Sequence, residues 1–536
     1  MKNLKSLAVL STAALMILGM SSVAFAATND QGWVQNGSEW QYLDKNGDAV
    51  TNDWKRSGDY WFYLDSDGNM ATDALIEDDD DYYYVDANGV MVTNTWKAVA
   101  DDDWDGSDEA DYAWYYFGTD GKAYKSKDDL DTSEIKTING LKYAFDDEGH
   151  MLYGWVSKTN AEMVNTDDDS EDWKNEDTLY YFNGWNDGHM SQGWEQINVY
   201  DSTAEDGDGS DEDYWFYFDT NGKKTKDKKK TINGKTYLFD VDGHMKTEWA
   251  GVTASDSDLA TSSDIAFADG DGSQRKSHWV WAIPDEDMDK DDHDDDEYSW
   301  WWTDASGKIV KNTRKKINGK YYIFDAEGRM QYGLLVADDA GKHFVTKSYD
   351  ADDDFTDRDA EDFEKLSLDG VYFYSDDEVK DGSRKTGYQT VEFGDGAAQM
   401  YFTKNGEGKT EYNTKIDKYT ASGVVLKADS DDGKYAGVKT NGAYDDFTLF
   451  DGLTYGSAID ANANVYLIGT TGALQKKKTN LKDSDLDYYY FTDKNGQVIY
   501  ASDKKLEKKS DGAIWIDTNG NGTEDADEHW KVDDDD

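Results

Sequence analysis

Residues 32–54 read GWVQNGSEWQYLDKNGDAVTNDW, and the order of residue types in that stretch decides the fold. Trp40, Tyr42 and Leu43 make an aromatic strand, Asn36-Gly37 and Asn46-Gly47 are turn dipeptides, and Trp54 closes the unit. Aromatic and polar residues alternating around Asn-Gly form the strongest short-range hairpin signal, because Asn and Gly tolerate the left-handed backbone of a tight turn. The unit recurs: Tyr42, Tyr63 and Tyr84 fall 21 residues apart, and so do Gly47, Gly68 and Gly89. A hairpin of this size cannot bury its hydrophobic face alone, so a fixed period near 20 residues specifies an array in which each unit covers the next. The expected fold is all-β, a repetitive β-hairpin solenoid with acidic loop insertions.

Composition agrees with this and excludes several functions. The 536 residues include 37 Tyr, 20 Trp and 48 Gly, with one Pro and no Cys. Without cysteine there is no disulfide framework and no thiol chemistry. A formal net charge of −59 repels phosphates, which argues against nucleic acid as a partner. The same field keeps the chain soluble and draws cations, divalent metals included, although a run of acids on a loop is first of all a solvated surface.

Met1–Ala26 reads as a secretory signal peptide: Lys2 and Lys5 supply the basic start, Leu7–Met20 the apolar stretch, and Ala24-Phe25-Ala26 the cleavage site. The apolar run is short for a membrane helix and no later segment is apolar enough, so no membrane span is expected after cleavage. The chain ends in four aspartates with no sorting tail, which leaves non-covalent attachment as the expected mode of surface association. Repeats run unbroken from Gly32 to Trp96. Acidic insertions then separate them at Asp101–Asp111, Asn165–Asp177, Asp201–Asp213 and Asp285–Glu297, read here as edge loops that cost little because closure entropy grows slowly with length. Beyond about Leu335 the pattern decays. Val371–Tyr374, Tyr401-Phe402, Val465–Ile468 and Tyr488–Phe491 still read as strands, and Asn441-Gly442 and Asn495-Gly496 as turns. The expected organisation is a signal peptide at 1–26, a hairpin repeat array at 27–334, and divergent repeats or a small β module at 335–536.

The units resemble the choline-binding or cell-wall-binding repeats of Gram-positive surface proteins, whose pattern runs roughly G-W-x4-G-x-W-Y-Y-L-x3-G-x-M-x-T-G-W. Gly32-Trp33, Trp40–Leu43, Gly47 and Trp54 carry one copy. Trp61–Leu64 with Gly68-Asn69-Met70 carry the next, and Tyr82–Val85 with Gly89-Val90-Met91 and Trp96 a third. Ile138-Asn139-Gly140, Ile232–Lys235 and Ile317–Lys320 match the I-N-G-K variant of the related clostridial-toxin and glucan-binding repeats. The resemblance covers about residues 32–334. It implies choline held between aromatic side chains of consecutive hairpins, since a quaternary ammonium donates no hydrogen bond and ring faces are its natural partner. The matching residues are Trp33, Trp40, Trp54, Trp61, Tyr63, Trp96, Trp114, Trp155, Trp194, Trp215 and Trp249. Where Leu75 and Leu334 stand in place of Trp there is no such face to offer. The bland alternative is that the rings form the solenoid core, because aromatics dominate burial energetics.

A second candidate is a calcium loop at 517–528, in which Asp517, Asn519, Asn521, the Thr523 carbonyl and Glu528 fit D-x-[DN]-x-[DN]-G-x5-E. The flanking Ala513–Ile516 reads as a strand, and Asp-Thr-Asn-Gly also serves as an ordinary repeat turn at Asp219–Gly222. Catalysis is not expected. His150, His189 and His244 share one repeat position, Gly-His-Met, that Arg329 fills in another copy, and no nucleophile, zinc or phosphate-loop motif is present. The expected protein is secreted and held on a Gram-positive cell wall, with choline-substituted teichoic acid or a glycan as its partner. Carbohydrate binding and a calcium-dependent structural or matrix role are the rival readings.

Overall fold

The computed structural model describes residues 31–536 except 101–111, 127–128, 132, 165–168, 205–208, 252–263, 349–353, 376–380, 429–433, 441–446, 451–463, 484–487, 503, 516–522, 526–528 and 531–536. The signal segment, the Asn441-Gly442 turn, and Asp517, Asn519, Asn521 and Glu528 lie outside the described residues. Two units, Met1–Thr225 and Lys226–Asp536, are each described by themselves.

The first unit is a succession of antiparallel hairpins. They pair β1 (Gly32–Asn36) with β2 (Glu39–Leu43), β3 (Asp53–Ser57) with β4 (Tyr60–Leu64), and β5 (Ala74–Asp78) with β6 (Asp81–Val85). Next come β7 (Thr95–Ala100) with β8 (Tyr112–Phe117), β9 (Lys136–Ile138) with β10 (Leu141–Tyr143), β11 (Gly154–Ser157) with β12 (Thr178–Phe182), and β13 (Gly193–Asp201) with β14 (Ser210–Phe218). Three local devices turn this string into a stack.

The first is an aspartate after the second strand of most hairpins, with Gly118 and Asn183 in that place after β8 and β12. Asp65 Oδ1 accepts the backbone N–H groups of Asp67 at 2.9 Å and Asn69 at 2.8 Å, folding the chain back on itself. Asp44, Asp86, Asp146 and Asp219 do the same for the residues two and four positions on. This is the Asx turn that a short carboxylate makes with its own backbone. These repeat aspartates are therefore structural. The second device is the glycine of that turn. Gly89 has φ +77, and a Cβ built there would lie 2.8 Å from Met70 Cε and 2.9 Å from its Sδ. Gly121 sits in the same way on Met91, Gly188 on Met151 and Gly222 on Met190. Glycine therefore lets these turns settle on the methionine of the hairpin before them, and Gly68 and Gly149 settle on Ala49 and Ala123 at the same position. The third is one backbone bond between neighbours: the Met70 N–H donates to Trp40 C=O at 2.7 Å, and Met91 to Trp61 at 2.9 Å.

The second unit repeats the scheme with β15 (Lys228–Ile232) and β16 (Lys235–Phe239), β17 (Glu248–Gly251) and β18 (Ile265–Ala268), β19 (His278–Ala282) and β20 (Ser299–Thr303), then β21 (Thr313–Ile317) and β22 (Lys320–Phe324). In the Ile-Asn-Gly copies both turn residues are left-handed, as at Asn233 and Gly234 (φ 49 and 83), the geometry of a two-residue hairpin loop. From Leu334 onward the sheets widen. A four-stranded sheet contains Leu334–Asp338, His343–Thr346, Val371–Phe373 and Glu407–Gly408, and a five-stranded one is built around Gly387–Phe393 and Gly396–Phe402. Phe355, Phe363, Phe373, Phe393, Met400 and Phe402 fill the core between them.

Two insertions differ from the loops expected. Ser210–Asp213, within the acidic stretch after Asp201, continues β14 and pairs with Asn198–Asp201, so that hairpin is lengthened rather than interrupted. Alternation explains it: Ile197 and Val199 face inward while Asp211 and Asp213 face solvent. The stretch Asp285–Glu297 contains a short helix, α1 (Lys290–Asp294), capped by Asp289. Arg329 reaches this cap, bonding Asp289 at 2.9 Å and also Asp292, while its Nε holds the turn aspartate Asp325 at 3.0 Å. Burial works against the charge on Arg329, and Asp325 and Asp292 outweigh it and hold the guanidinium protonated. Two of the Gly-His-Met histidines bond their own turn aspartates in the same way, His150 to Asp146 at 2.8 Å and His244 to Asp240, while His189, whose turn carries Asn183, pairs with Asp187 at 2.8 Å. That position is a turn clamp.

Candidate functional site

The rings meet by a simple rule. The first-strand Trp lies directly across from the second-strand Tyr of its own hairpin, as in Trp33↔Tyr42, Trp54↔Tyr63, Trp96↔Tyr116, Trp155↔Tyr181 and Trp194↔Tyr217. Its other edge meets a ring that the next hairpin points backward. Trp33 is 5.4 Å from Tyr42 and 5.2 Å from Phe62, and Trp54 is 5.2 Å from Tyr63 and 5.1 Å from Tyr83. Trp96 is 5.1 Å from Tyr116 and 4.9 Å from Tyr143. All six contacts are edge-to-face, each contributing roughly 0.5–1.5 kcal/mol beyond its buried area.

The remaining candidates sit two residues before those tyrosines and so share their face. Trp61 is 40% exposed and Trp40 is half-buried. Trp114 packs partly buried on the Tyr116–Tyr143–Phe145 cluster. Trp215 is exposed and meets Trp194 at 6.3 Å. Trp155 and Trp249 are different: Trp155 is only 3% exposed, and Trp249 is buried against Phe267 and Trp301 with its indole N–H donated to Ile283 C=O. These two rings are core. At the seam beginning with Leu75 the neighbouring Tyr84 ring is covered by Lys97, whose Nζ lies 5.0 Å from its centroid, and Leu334 is fully buried.

The Trp54 corner is also electrostatically biased. Trp54 Nε1 donates to Asp78 at 3.0 Å. The Tyr63 phenol is pushed up first by burial and then by the charges of Asp78, Asp53 and Asp65. Three carboxylates around half-buried ring faces favour a cation over a neutral or anionic guest.

Residues 51–96, which contain this corner, match a family described as the choline-binding repeat. The chain carries choline-binding repeats. Residues 110–123 and 230–245 match a second description, putative cell wall binding repeat, so the reading drawn from the repeat pattern stands. The glucosyltransferase-S of Streptococcus mutans serotype c is 24% identical over 337 residues, covering 61% of this chain and 20% of that protein. The chain thus matches about a fifth of the length of that curated relative. Among solved structures, CbpJ of Streptococcus pneumoniae TIGR4 is similar with 17% identity over 59% of this chain and 100% of that one, TM-score 0.32. Choline binding protein F of Streptococcus pneumoniae gives 19% over 61% and 96%, TM-score 0.27. The modular autolysin LytC of the same species gives 18% over 57% and 54%, TM-score 0.31.

Several rings of these repeats were not singled out from sequence. Tyr83, Tyr116, Tyr143 and Tyr181 were legible as rings opposite a candidate Trp or in the hairpin that follows it. Trp279 was legible from its place opposite Trp302; it packs 5.2 Å from Trp302 and 4.9 Å from Tyr322. Trp173 carried no such signal, for it lies inside the acidic insertion at Asn165–Asp177, on a 3-10 turn at Asp172–Lys174, and is buried. Among the described residues no cluster of His, Cys, Asp and Glu has the form of a metal site, and no helix is long and apolar enough to cross a membrane.

Proposed function

We propose that this is a non-catalytic, exported protein held on a Gram-positive cell envelope by choline-bearing teichoic acid, or a similar wall polymer, seated at the open aromatic seams. The corner formed by Trp54, Tyr63 and Tyr83, with Asp78 bonded to the Trp54 indole and the exposed Trp61 two residues before Tyr63 on the same strand, is the observation that carries the proposal. Ring faces attract a quaternary ammonium that cannot be hydrogen-bonded, by about 0.5–2 kcal/mol each according to desolvation. One such site is weak, and retention on a polymer would come from several acting together. The net charge of −59 favours ammonium groups and opposes bare polyphosphate. The Met1–Ala26 segment supports export, and the array at 27–334 is the part to which wall binding is assigned.

The test is retention of the chain from Ala27 onward on a tertiary-amine choline analogue. Free choline should release it where salt of equal ionic strength does not, and Trp54→Leu with Trp61→Ala should weaken retention. Release by salt alone overturns the proposal, since a chain this acidic is retained by any anion exchanger.

A glycan is the second reading. Trp281 and Tyr298, both exposed, stack at 5.8 Å with planes 21° apart, and Trp300 lies 5.0 Å from Trp281. An exposed pair of near-parallel rings suits a sugar ring better than a cation, and soluble oligosaccharides are the ligands to try if choline fails.

A further inference from the structure

The seam between the β11–β12 and β13–β14 hairpins differs from the others in what fills it. Trp155 contacts Tyr181 and Phe216, each at 5.1 Å. A further wall, Trp173, comes from the acidic insertion; it lies 6.5 Å from Trp155 and is held by its indole N–H on Tyr200 C=O at 2.8 Å. Into this box runs the side chain of Lys224, itself only 5% exposed. Its ammonium stands 5.0 Å from the Trp155 centroid and 5.8 Å from that of Trp173, and donates to Trp173 C=O at 2.6 Å.

Lys224 occupies a defined repeat position. Its backbone bridges Phe218 as Met70 bridges Leu64, Met91 bridges Val85 and Met190 bridges Phe182. In those copies the side chain is a thioether lying under the next glycine, and at 49 and 123 it is alanine. The exchange to lysine occurs where the insertion has supplied an extra tryptophan wall. A buried ammonium is tolerated only where its lost hydration is replaced, and two indole faces with a carbonyl supply that replacement.

We propose that the Trp155–Trp173 box is an ammonium-binding site occupied in cis by Lys224, which withholds this seam from external quaternary ammonium ligands. The inference rests on the proposed choline reading of the open seams. It predicts that removing the lysine side chain unmasks one site. Lys224→Ala, which places here the residue native at 49 and 123, should bind one more choline per chain than wild type in equilibrium dialysis. Lys224→Met should refill the space and leave the number unchanged. Near-UV circular dichroism checks that each variant is folded.

If wild type binds choline and folded Lys224→Ala binds no more, this inference fails and the wall-binding reading stands. If wild type binds none and Lys224→Ala binds one, the inference stands and that reading fails; if neither binds, both fail. Should Lys224→Ala not fold, reductive methylation of wild type decides. Lys224 should be modified at least about tenfold more slowly than exposed Lys223, and equal rates overturn the proposal.

Discussion

Replacing Gly89 by alanine tests the stacking device and its bearing on the seams. At φ +77 an alanine is left-handed, which costs about 1–2 kcal/mol. The new Cβ would also lie 2.8, 2.9 and 3.0 Å from Met70 Cε, Sδ and Cγ, so the whole thioether must move aside, at about 1–3 kcal/mol for overpacking. Gly58 has φ +61 with nothing within 4 Å of a built Cβ, so Gly58→Ala incurs the backbone part alone. The expected difference between the two variants is about 1–3 kcal/mol. For a cooperative block with a urea slope of about 2 kcal/mol per M, that lowers the midpoint by roughly 0.5–1.5 M relative to Gly58→Ala. Met70→Ala should relieve the clash, because Gly68 already sits on an alanine, Ala49, in the preceding hairpin contact. The double variant should then be less damaged than the two single changes added together. Because Met70 follows β4, which carries Trp61 and Tyr63, Gly89→Ala should also weaken choline-analogue retention. Equal midpoints for Gly89→Ala and Gly58→Ala, or strict additivity with Met70→Ala, would refute the reasoning.

Other consequences can be checked separately. Asp65→Ala removes the acceptor of two backbone N–H groups and should cost about 1–3 kcal/mol in urea unfolding, whereas Asp65→Asn should retain most of the turn. Glu364, on the helix Ala360–Lys365, has its carboxyl pushed up to about 7 by burial and then by Glu361, despite Lys365 and Lys427. Its raised value stabilises the fold below about pH 4.5, and that contribution is lost as pH rises toward 7, by up to about 3 kcal/mol at 1.36 kcal/mol per unit. Glu364→Gln should flatten that decline in melts from pH 4.5 to 8, and an unchanged slope would exclude the residue as its source. At 517–528, calorimetry should register calcium binding that Asp517→Ala abolishes; titration heats identical in both proteins would remove the calcium proposal.

The hairpins and their period were legible because they are written in local chemistry. Asn-Gly turns, the alternation of Trp40, Tyr42 and Leu43, and glycines every 21 residues constrain backbone angles within a few positions of themselves. The turn aspartates were equally local but hidden by abundance: with 114 acidic residues, Asp65 and its counterparts looked like part of the solvated background. Sequence also identified the ring inventory of the seams, including Trp33, Trp54, Trp96 and Trp194.

What each ring faces was decided only in three dimensions. Trp54 and Trp155 occupy the same repeat position, yet Trp54 is half-buried and packs on Tyr63, which three carboxylates face, while Trp155 is shut in by Trp173 and Lys224. The difference comes from an insertion between β11 and β12 and from a single exchange more than 60 residues beyond Trp155. The repeat period governs contacts between one hairpin and the next, because stacking fixes that geometry. An insertion obeys no period, so where its side chains land depends on the packed surface it folds onto.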